Sequence, residues 1–313
     1  MITLKQLASR EEWFSSGHTL CPGCSIPVIL KLVLGASRNP LVISNATGCL
    51  QMGSTLFPHT AWKSNWIHTG YGNASATMSG VTAVYRSLKK KGRLMDEKER
   101  KFLVIGGDGS TYDSGISSIS GYMERGEDIV YLCYDNQSMA HSGGQASSAT
   151  PVGASTTTTP AGTVLPGKLQ TRKNITAIIA AHRIPYVAQS APWNWNDLLR
   201  KAEKAFETKG PAYLNVLSPC PTHWNTDTDK SIELSRLAAD TCVWPMFEIR
   251  GGTKITVNYK PRHKLPVSEW LKSQDRFRHL LEKENKWIVD KIQEEIDQNW
   301  DFLLSAQNEE ETK

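Results

Sequence analysis

The sequence predicts an α/β fold: a mostly parallel sheet covered by helices on both faces, followed by a C-terminal arm. Three observations predict it. Short runs that are apolar throughout, such as LVISNA (41–46), DIVYLCYDN (128–136) and AYLNVLSP (212–219), have the length and continuity of strands buried on both faces. Segments with helical periodicity separate them, so the strands connect by crossovers and run parallel. The residues able to carry chemistry fall at the carboxyl ends of those strands or in loops, where open α/β sheets bind ligands.

In chain order, SIPVILKLVLGA (25–36) reads as a helix and 41–46 as a buried strand. NASATMSGVTAVYRSLKKKG (73–92) is a small-residue helix closed by a basic turn and a glycine. FLVIGGDGS (102–110) is a strand breaking into a glycine turn. A helix at 112–126 leads to the strand 128–136. A helix at 174–183, a strand at 185–190, a helix at 196–207 and the strand 212–219 complete the alternation. Residues 137–173 form a Ser/Thr/Gly-rich segment inside the domain; a structureless loop of that length is usually functional or a disordered linker. The β/α rhythm is lost after 224. The expected division is therefore 1–224 as the ligand-binding domain and 225–313 as an arm contacting another subunit, with a helix-rich stretch at 267–305 and an acidic end, NEEETK.

The 313 residues contain 39 % apolar and 21 % charged residues, an ordinary globular balance that excludes bulk disorder and rod-like repeats. Net charge is +5, and no basic run exceeds Lys89–Lys91, which argues against nucleic acid as a partner. The N-terminal run lacks the apolar core of a secretion signal, and no stretch approaches the roughly 20 apolar residues of a membrane span. The expectation is a cytoplasmic protein with no membrane partner. Six cysteines in that setting point to metal or redox chemistry rather than disulfides.

The strongest local motif is Gly107-Asp108-Gly109-Ser110 after a buried strand, with Asn136 at the end of the next strand 28 residues beyond Asp108. A diphosphate needs backbone N–H donors, and turn glycines let the backbone come close. It also needs a divalent cation. Mg²⁺ takes hard oxygen ligands, which the Asp108 carboxylate, the Asn136 amide oxygen and the Ser138 main-chain carbonyl can supply. Cys21-Pro-Gly-Cys24 is a chelating pair, with Cys49 and Cys220 at strand ends. On spacing alone, a zinc site and an iron–sulfur cluster both remain open. A thioredoxin-like pair fits less well, because no strand precedes CPGC. Cys133, inside an apolar run, and Cys242 read as structural.

These blocks, together with SNATGC (44–49), GGDGSTYD (106–113), SGGQ (142–145), ATPVGASTTTTPAG (149–162), AAHRIPYVA (180–188) and GPAYLNVLSPCPTHW (210–224), resemble the β subunit of the pyruvate/2-oxoacid:ferredoxin oxidoreductase family in one unbroken order from about residue 12 to 225. The resemblance implies a thiamine-diphosphate-binding fold of the diphosphate type. GDG followed by Asn resembles the motif that holds thiamine diphosphate and Mg²⁺, with Gly107, Asp108, Gly109, Ser110, Asn136 and Ser138 around the cofactor. It also implies a [4Fe–4S] cluster on Cys21, Cys24, Cys49 and Cys220, with Cys49 next to the thiamine. Only one α/β unit is present, so an alpha-type subunit is expected to supply the pyrimidine-binding half-site and its activating glutamate. A ferredoxin-like subunit or domain would carry electrons on to ferredoxin. A non-redox thiamine enzyme would not need the four cysteines, and a zinc-bearing scaffold would not need GDG…Asn.

Two departures bear on the small acid substrate. Pyruvate-specific members read YDN-E-x-Y-x-N-T-G, whereas here the Asn facing substrate and thiamine is His141, a candidate catalytic residue that can donate from its ring or carry charge near neutral pH. A glutamate often found two residues after CPGC is Ile26. Both changes suit a second carboxylate, so the sequence resembles the oxalate-cleaving branch, with pyruvate or another 2-oxoacid as the alternative. His59, His68, His182 and His223 are expected to pack rather than to catalyse.

Overall fold

The computed structural model describes residues 3–94 and 98–311. One eight-stranded sheet organises it, in the order β2-β1-β3-β4-β6-β5-β7-β8. The strands are β1 (Leu41–Ala46), β2 (Asn65–Thr69), β3 (Lys101–Gly107), β4 (Val130–Asp135), β5 (Tyr186–Ser190), β6 (Ala212–Leu217), β7 (Phe247–Arg250) and β8 (Lys254–Val257). The first six pair in parallel; β7 and β8 add to β5 as an antiparallel hairpin.

Alternate side chains of each central strand feed two separate cores. Leu103 and Ile105 of β3, Leu132 of β4 and Leu214 of β6 pack under the helices Ile26–Ala36 and Trp195–Glu207. Phe102, Val104, Tyr131 and Tyr213 face the opposite way, under Ala74–Lys90, Ile116–Glu124 and Ile175–Ala180. Burial on both faces is what makes these strands apolar throughout.

Three elements differ from the sequence reading. The edge strand β2 is largely exposed and carries no apolar run to announce it. The helix Cys49–Ser54 is short and starts at Gly48 without a side-chain cap. The segment expected to be a simple glycine turn into a helix contains a π-helical turn, Gly109–Ser114, before the α-helix Ile116–Glu124; such turns often sit at functional sites.

The sheet does not stop at the expected division at 224/225. β7 covers the edge of β5, an arrangement that removes an unpaired strand edge. Phe247, Ile249, Val257, Trp300 and Leu303 join the second core, so the extension packs on its own chain. A third core, including Trp224, Trp244, Trp270 and Phe277, joins the 137–173 segment to the tail. The helix Lys286–Glu311 closes the chain, and the side chains of the acidic end at 308–313 lie outside the described residues. No helix among the described residues is long and apolar enough to cross a membrane.

Candidate functional site

The register of the parallel strands brings the distant motifs together. β3 and β4 pair Gly107 with Tyr134, so Asp108 and Asn136 leave neighbouring strand ends on the same edge. β1 flanks β3 on the other side, and its continuation carries Cys49 into the same place. One cleft is lined by Cys49, Gly107, Asp108, Gly109, Ser110, Asn136, Ser138 and His141, together with Tyr71 and Tyr134.

Asp108 is 1 % exposed, and its Oδ2 accepts a 2.5 Å hydrogen bond from Ser147 Oγ. Burial pushes its carboxyl well above the usual range, the neighbouring Asp135 pushes it the same way, and Ser147 opposes both. Asp135 is held by Tyr112 Oη (2.5 Å) and Arg172 Nη2 (2.6 Å) on one oxygen and by the Gln137 N–H (3.0 Å) on the other. Burial still raises it, with Arg172 as the main opposing influence. Asn136 Oδ1 accepts from the Ser138 N–H at 3.2 Å, and the Asn136 carbonyl accepts from Trp224 Nε1 at 2.8 Å. An amide oxygen has a second lone pair, so Asn136 can still take a cation. Gln137, between them, adopts φ +63°, which turns the chain sharply and presents the two flanking residues to one side. Gly109 is required by contact: a Cβ there would stand 2.0 Å from Tyr71 Oη and 2.9 Å from Met139 Cγ.

The CPGC loop reaches the site through β6. Ser25 Oγ lies 2.9 Å from Ser218 Oγ at the end of β6, two residues before Cys220, and Ser231 Oγ donates to the Gly23 carbonyl at 2.6 Å. Gly23 has φ +73°, and a Cβ would collide with the Thr228 carbonyl at 1.9 Å, so this loop admits no side chain at that position. Burial pushes the Cys24 thiol up to about 12, with the charges of Cys220 and Cys21 adding to it. Cys49 is raised by burial and then by Cys220, Cys24, Cys21 and Asp108. Cys220 is raised by burial, and Cys21 adds to it. The four thiols therefore lie within electrostatic reach of one another, and Cys49 also within reach of Asp108. Among the described residues, no three His, Cys, Asp or Glu side chains close to the shell of a single metal ion. All six cysteines are free; Cys133 and Cys242 lie in the second core.

Residues 46–216, more than half of the chain, match the family "Thiamine pyrophosphate enzyme, C-terminal TPP binding domain". Pyruvate synthase subunit PorB of Thermotoga maritima is 43 % identical over all of this chain and 98 % of its own length. PorB of Methanosarcina barkeri is 45 % identical over 92 % of this chain and 96 % of its own. The chain belongs to the β-subunit family of the 2-oxoacid:ferredoxin oxidoreductases. Ketoisovalerate oxidoreductase subunit VorB of Pyrococcus horikoshii, 37 % identical over 90 % of the chain and 91 % of its own length, widens the range of acids named among its relatives. A chain of 2-oxoglutarate:ferredoxin oxidoreductase from Magnetococcus marinus shares the fold, with a TM-score of 0.55 at 22 % identity over 72 % of this chain and 79 % of that one.

As a 2-oxoacid:ferredoxin oxidoreductase β subunit, the chain is a thiamine-dependent enzyme subunit, and none of these relatives is named for oxalate. The structure weakens the electrostatic case for that acid. His141 sits in the short 3₁₀ turn Ala140–Ser142, its ring 5.6 Å from that of Tyr71, and burial lowers its pKa, which favours the neutral ring near pH 7. Ile26 is 2 % exposed in the first core. His68, His182 and His223 bond to Thr47, Ser120 and the Ala140 carbonyl. The sequence reading passed over Ser147, Tyr71, Arg172 and Arg276. Asp135 had a visible signal, an acid adjoining Asn136; Ser147 is hidden within a Ser/Thr-rich run.

Proposed function

We propose that this chain provides the diphosphate-and-magnesium half of a thiamine diphosphate site, and the first [4Fe–4S] cluster, of an enzyme that oxidatively decarboxylates a pyruvate-class 2-oxo acid and delivers electrons to ferredoxin. The observation that carries this reading is the position of Cys49, which lines the Asp108 cleft and lies within electrostatic reach of the other three thiols. When bound, thiamine supplies an electron sink for decarboxylation and the cluster supplies a one-electron acceptor.

The residues fit both groups. Asp108, Asn136 and the Ser138 carbonyl would hold Mg²⁺: they are hard oxygen donors, and among the described residues the buried Asp108 carboxylate has only Ser147 as a side-chain donor, beside a second acid. The turn at Gly107–Gly109 offers main-chain N–H groups to a diphosphate, with Ser147 fixing the carboxylate. Arg172 and Tyr112 hold Asp135 so that its charge is answered within the chain. His141 presents a neutral ring with one N–H to donate to a substrate carboxylate. Cys21, Cys24, Cys49 and Cys220 would hold the cluster. Four thiols are the soft donor set that an iron–sulfide group takes.

An alpha-type partner would complete the thiamine site over the open cleft and supply the activating glutamate, with a ferredoxin-like chain or domain beyond the cluster. Trp287 and Phe302, both on the last helix and both 60 % exposed, support a subunit contact there. A reducing cytoplasm suits six free cysteines.

The test is anaerobic purification with the native partner chains, then viologen reduction with pyruvate, branched 2-oxo acids and oxalate, with and without coenzyme A. A brown complex that reduces dye with a 2-oxo acid is expected. A colourless complex with one zinc per chain and no dye reduction would remove the reading.

A further inference from the structure

The tail delivers a buried cation to the turn that follows β4. Arg276 lies in the 3₁₀ segment Asp275–Leu281 and is 6 % exposed. Its guanidinium stacks 4.2 Å from the Trp224 ring, 4.8 Å from Phe277 and 5.6 Å from Trp270. Nε donates to Gln274 Oε1 at 2.9 Å and Nη2 to Gln137 Oε1 at 2.6 Å. Both partners are neutral amides, and among the described residues no carboxylate lies within ion-pair distance of it. The Cys220 thiol, Asp135 and Asp108 favour its charge from beyond ion-pair distance, and a buried charge with no anion in direct contact is costly, so an oxyanion beside it would be favoured.

A cavity of about 260 Å³ opens beside it, lined by Gln137, Ser138, Thr156, Thr157, Thr222 and Arg276 among others, none of them acidic. Two of these carry buried polar atoms without a hydrogen-bond partner among the described residues, Ser138 Oγ and Gln137 Nε2. One positive charge and several hydroxyl-bearing side chains beside a polar space suit an oxyanion, and the guanidinium fork matches a phosphate edge. We propose that this cavity is an oxyanion subsite, distinct from the diphosphate cleft although Ser138 lines both, that takes a phosphate group, either free or as the end of a larger phosphorylated molecule. Burial lowers Arg276 to about 9, a cost that a bound anion would reverse.

The experiment uses the anaerobic complex with its partner chains, saturated with thiamine diphosphate and Mg²⁺ so that the diphosphate cleft is filled. Inorganic phosphate is titrated while tryptophan fluorescence is followed, since Trp224 and Trp270 flank Arg276. Sodium chloride at matched ionic strength is the control, and a simple alkyl phosphate monoester forms a second arm. Saturable quenching by phosphate, absent with chloride, is expected. Tighter binding of the monoester would identify the end of a larger molecule, and tighter binding of inorganic phosphate the free ion. Arg276→Met keeps the apolar stem and should weaken phosphate by roughly thirtyfold or more, as removal of the charged partner of a buried pair does. Thr157→Val, which leaves Arg276 in place and decides the matter if the first variant does not fold, should weaken it about fivefold. Phosphate bound equally by wild type and the folded variants, displaced by further thiamine diphosphate, or mimicked by chloride overturns the proposal. The Arg276 and Thr157 variants read phosphate binding itself and can be titrated without thiamine diphosphate, while dye reduction tests the thiamine reading separately.

Discussion

Ser147 Oγ donates to Asp108 Oδ2 at 2.5 Å, joining the middle of the long 137–173 segment to the turn after β3. Within that segment, Thr150 Oγ1 also donates to the Gln137 carbonyl (2.7 Å) and Lys168 Nζ to the Thr150 carbonyl (2.6 Å). The segment lacks regular structure yet is fixed by side-chain bonds. Ser147→Ala should leave the fold intact and loosen the carboxylate. A hydrogen bond to a charged group contributes about 1.5–3 kcal/mol, so Mg²⁺–thiamine diphosphate affinity should fall roughly tenfold or more. Calorimetric titration of the complex measures this, and unchanged affinity would detach Ser147 from the site.

Asp108 should make the protein free of Mg²⁺ and thiamine less stable as pH rises. Its folded pKa lies above its unfolded one, so the native state binds the proton more tightly. Below the unfolded value, about 3.9, both states are protonated and nothing is lost. Above it the unfolded chain ionises freely while the native state resists, and stability falls with rising pH up to the folded pKa. Asp108→Asn removes this group. The melting temperature of the variant relative to wild type should match in acid and rise progressively toward neutral pH, while cofactor binding is lost. Parallel melting curves at every pH would contradict the assignment.

The cysteines separate into two groups by environment. Cys220→Ser should abolish the brown chromophore and the iron and sulfide found in the anaerobic complex. Cys133, fully buried in the second core, should tolerate alanine at a cost of about 1 kcal/mol, with iron content unchanged. Full iron in Cys220→Ser, or none in Cys133→Ala, would reverse the grouping.

Gly109 tests the close approach at the turn. An added methyl would meet Tyr71 Oη, on the loop after β2, and Met139, on the loop after β4. Overpacking of this kind costs about 1–3 kcal/mol, and the displaced groups line the cleft. Gly109→Ala should therefore lose cofactor affinity together with a few degrees of melting temperature. A variant binding thiamine diphosphate as wild type does would show that the turn yields easily.

The central sheet was legible because β1, β3, β4 and β6 are buried on both faces, and each therefore consists of an apolar run. β2 escaped notice because an exposed edge strand has no such run to display. β7 and β8 had a usable signal, FEIR and KITV around Gly251-Gly252, which is hairpin chemistry set in an otherwise mixed stretch. At the site, Asp108 and Asn136 could be found because strand-end motifs are local in sequence. Arg276 could not. It meets Gln137 across 139 positions, and nothing around it in SQDRFRHL marks a buried cation.

The proposed choice between a 2-oxo acid and oxalate rests largely on His141. A positively charged imidazole would have suited a second carboxylate, but burial lowers its pKa, and the ring packs against Tyr71. A neutral donor can serve the single carboxylate of a 2-oxo acid without demanding a second. Dye reduction with pyruvate or a branched 2-oxo acid should therefore exceed that with oxalate at neutral pH. His141→Asn, which keeps an N–H donor, should retain 2-oxo-acid turnover within about tenfold, the scale of one neutral hydrogen bond. Protonating the ring should favour a dianion, so any oxalate activity of wild type should grow as pH falls below the ordinary histidine range and should not do so in the variant. Oxalate turnover that dominates at neutral pH and disappears in His141→Asn would restore oxalate as the substrate.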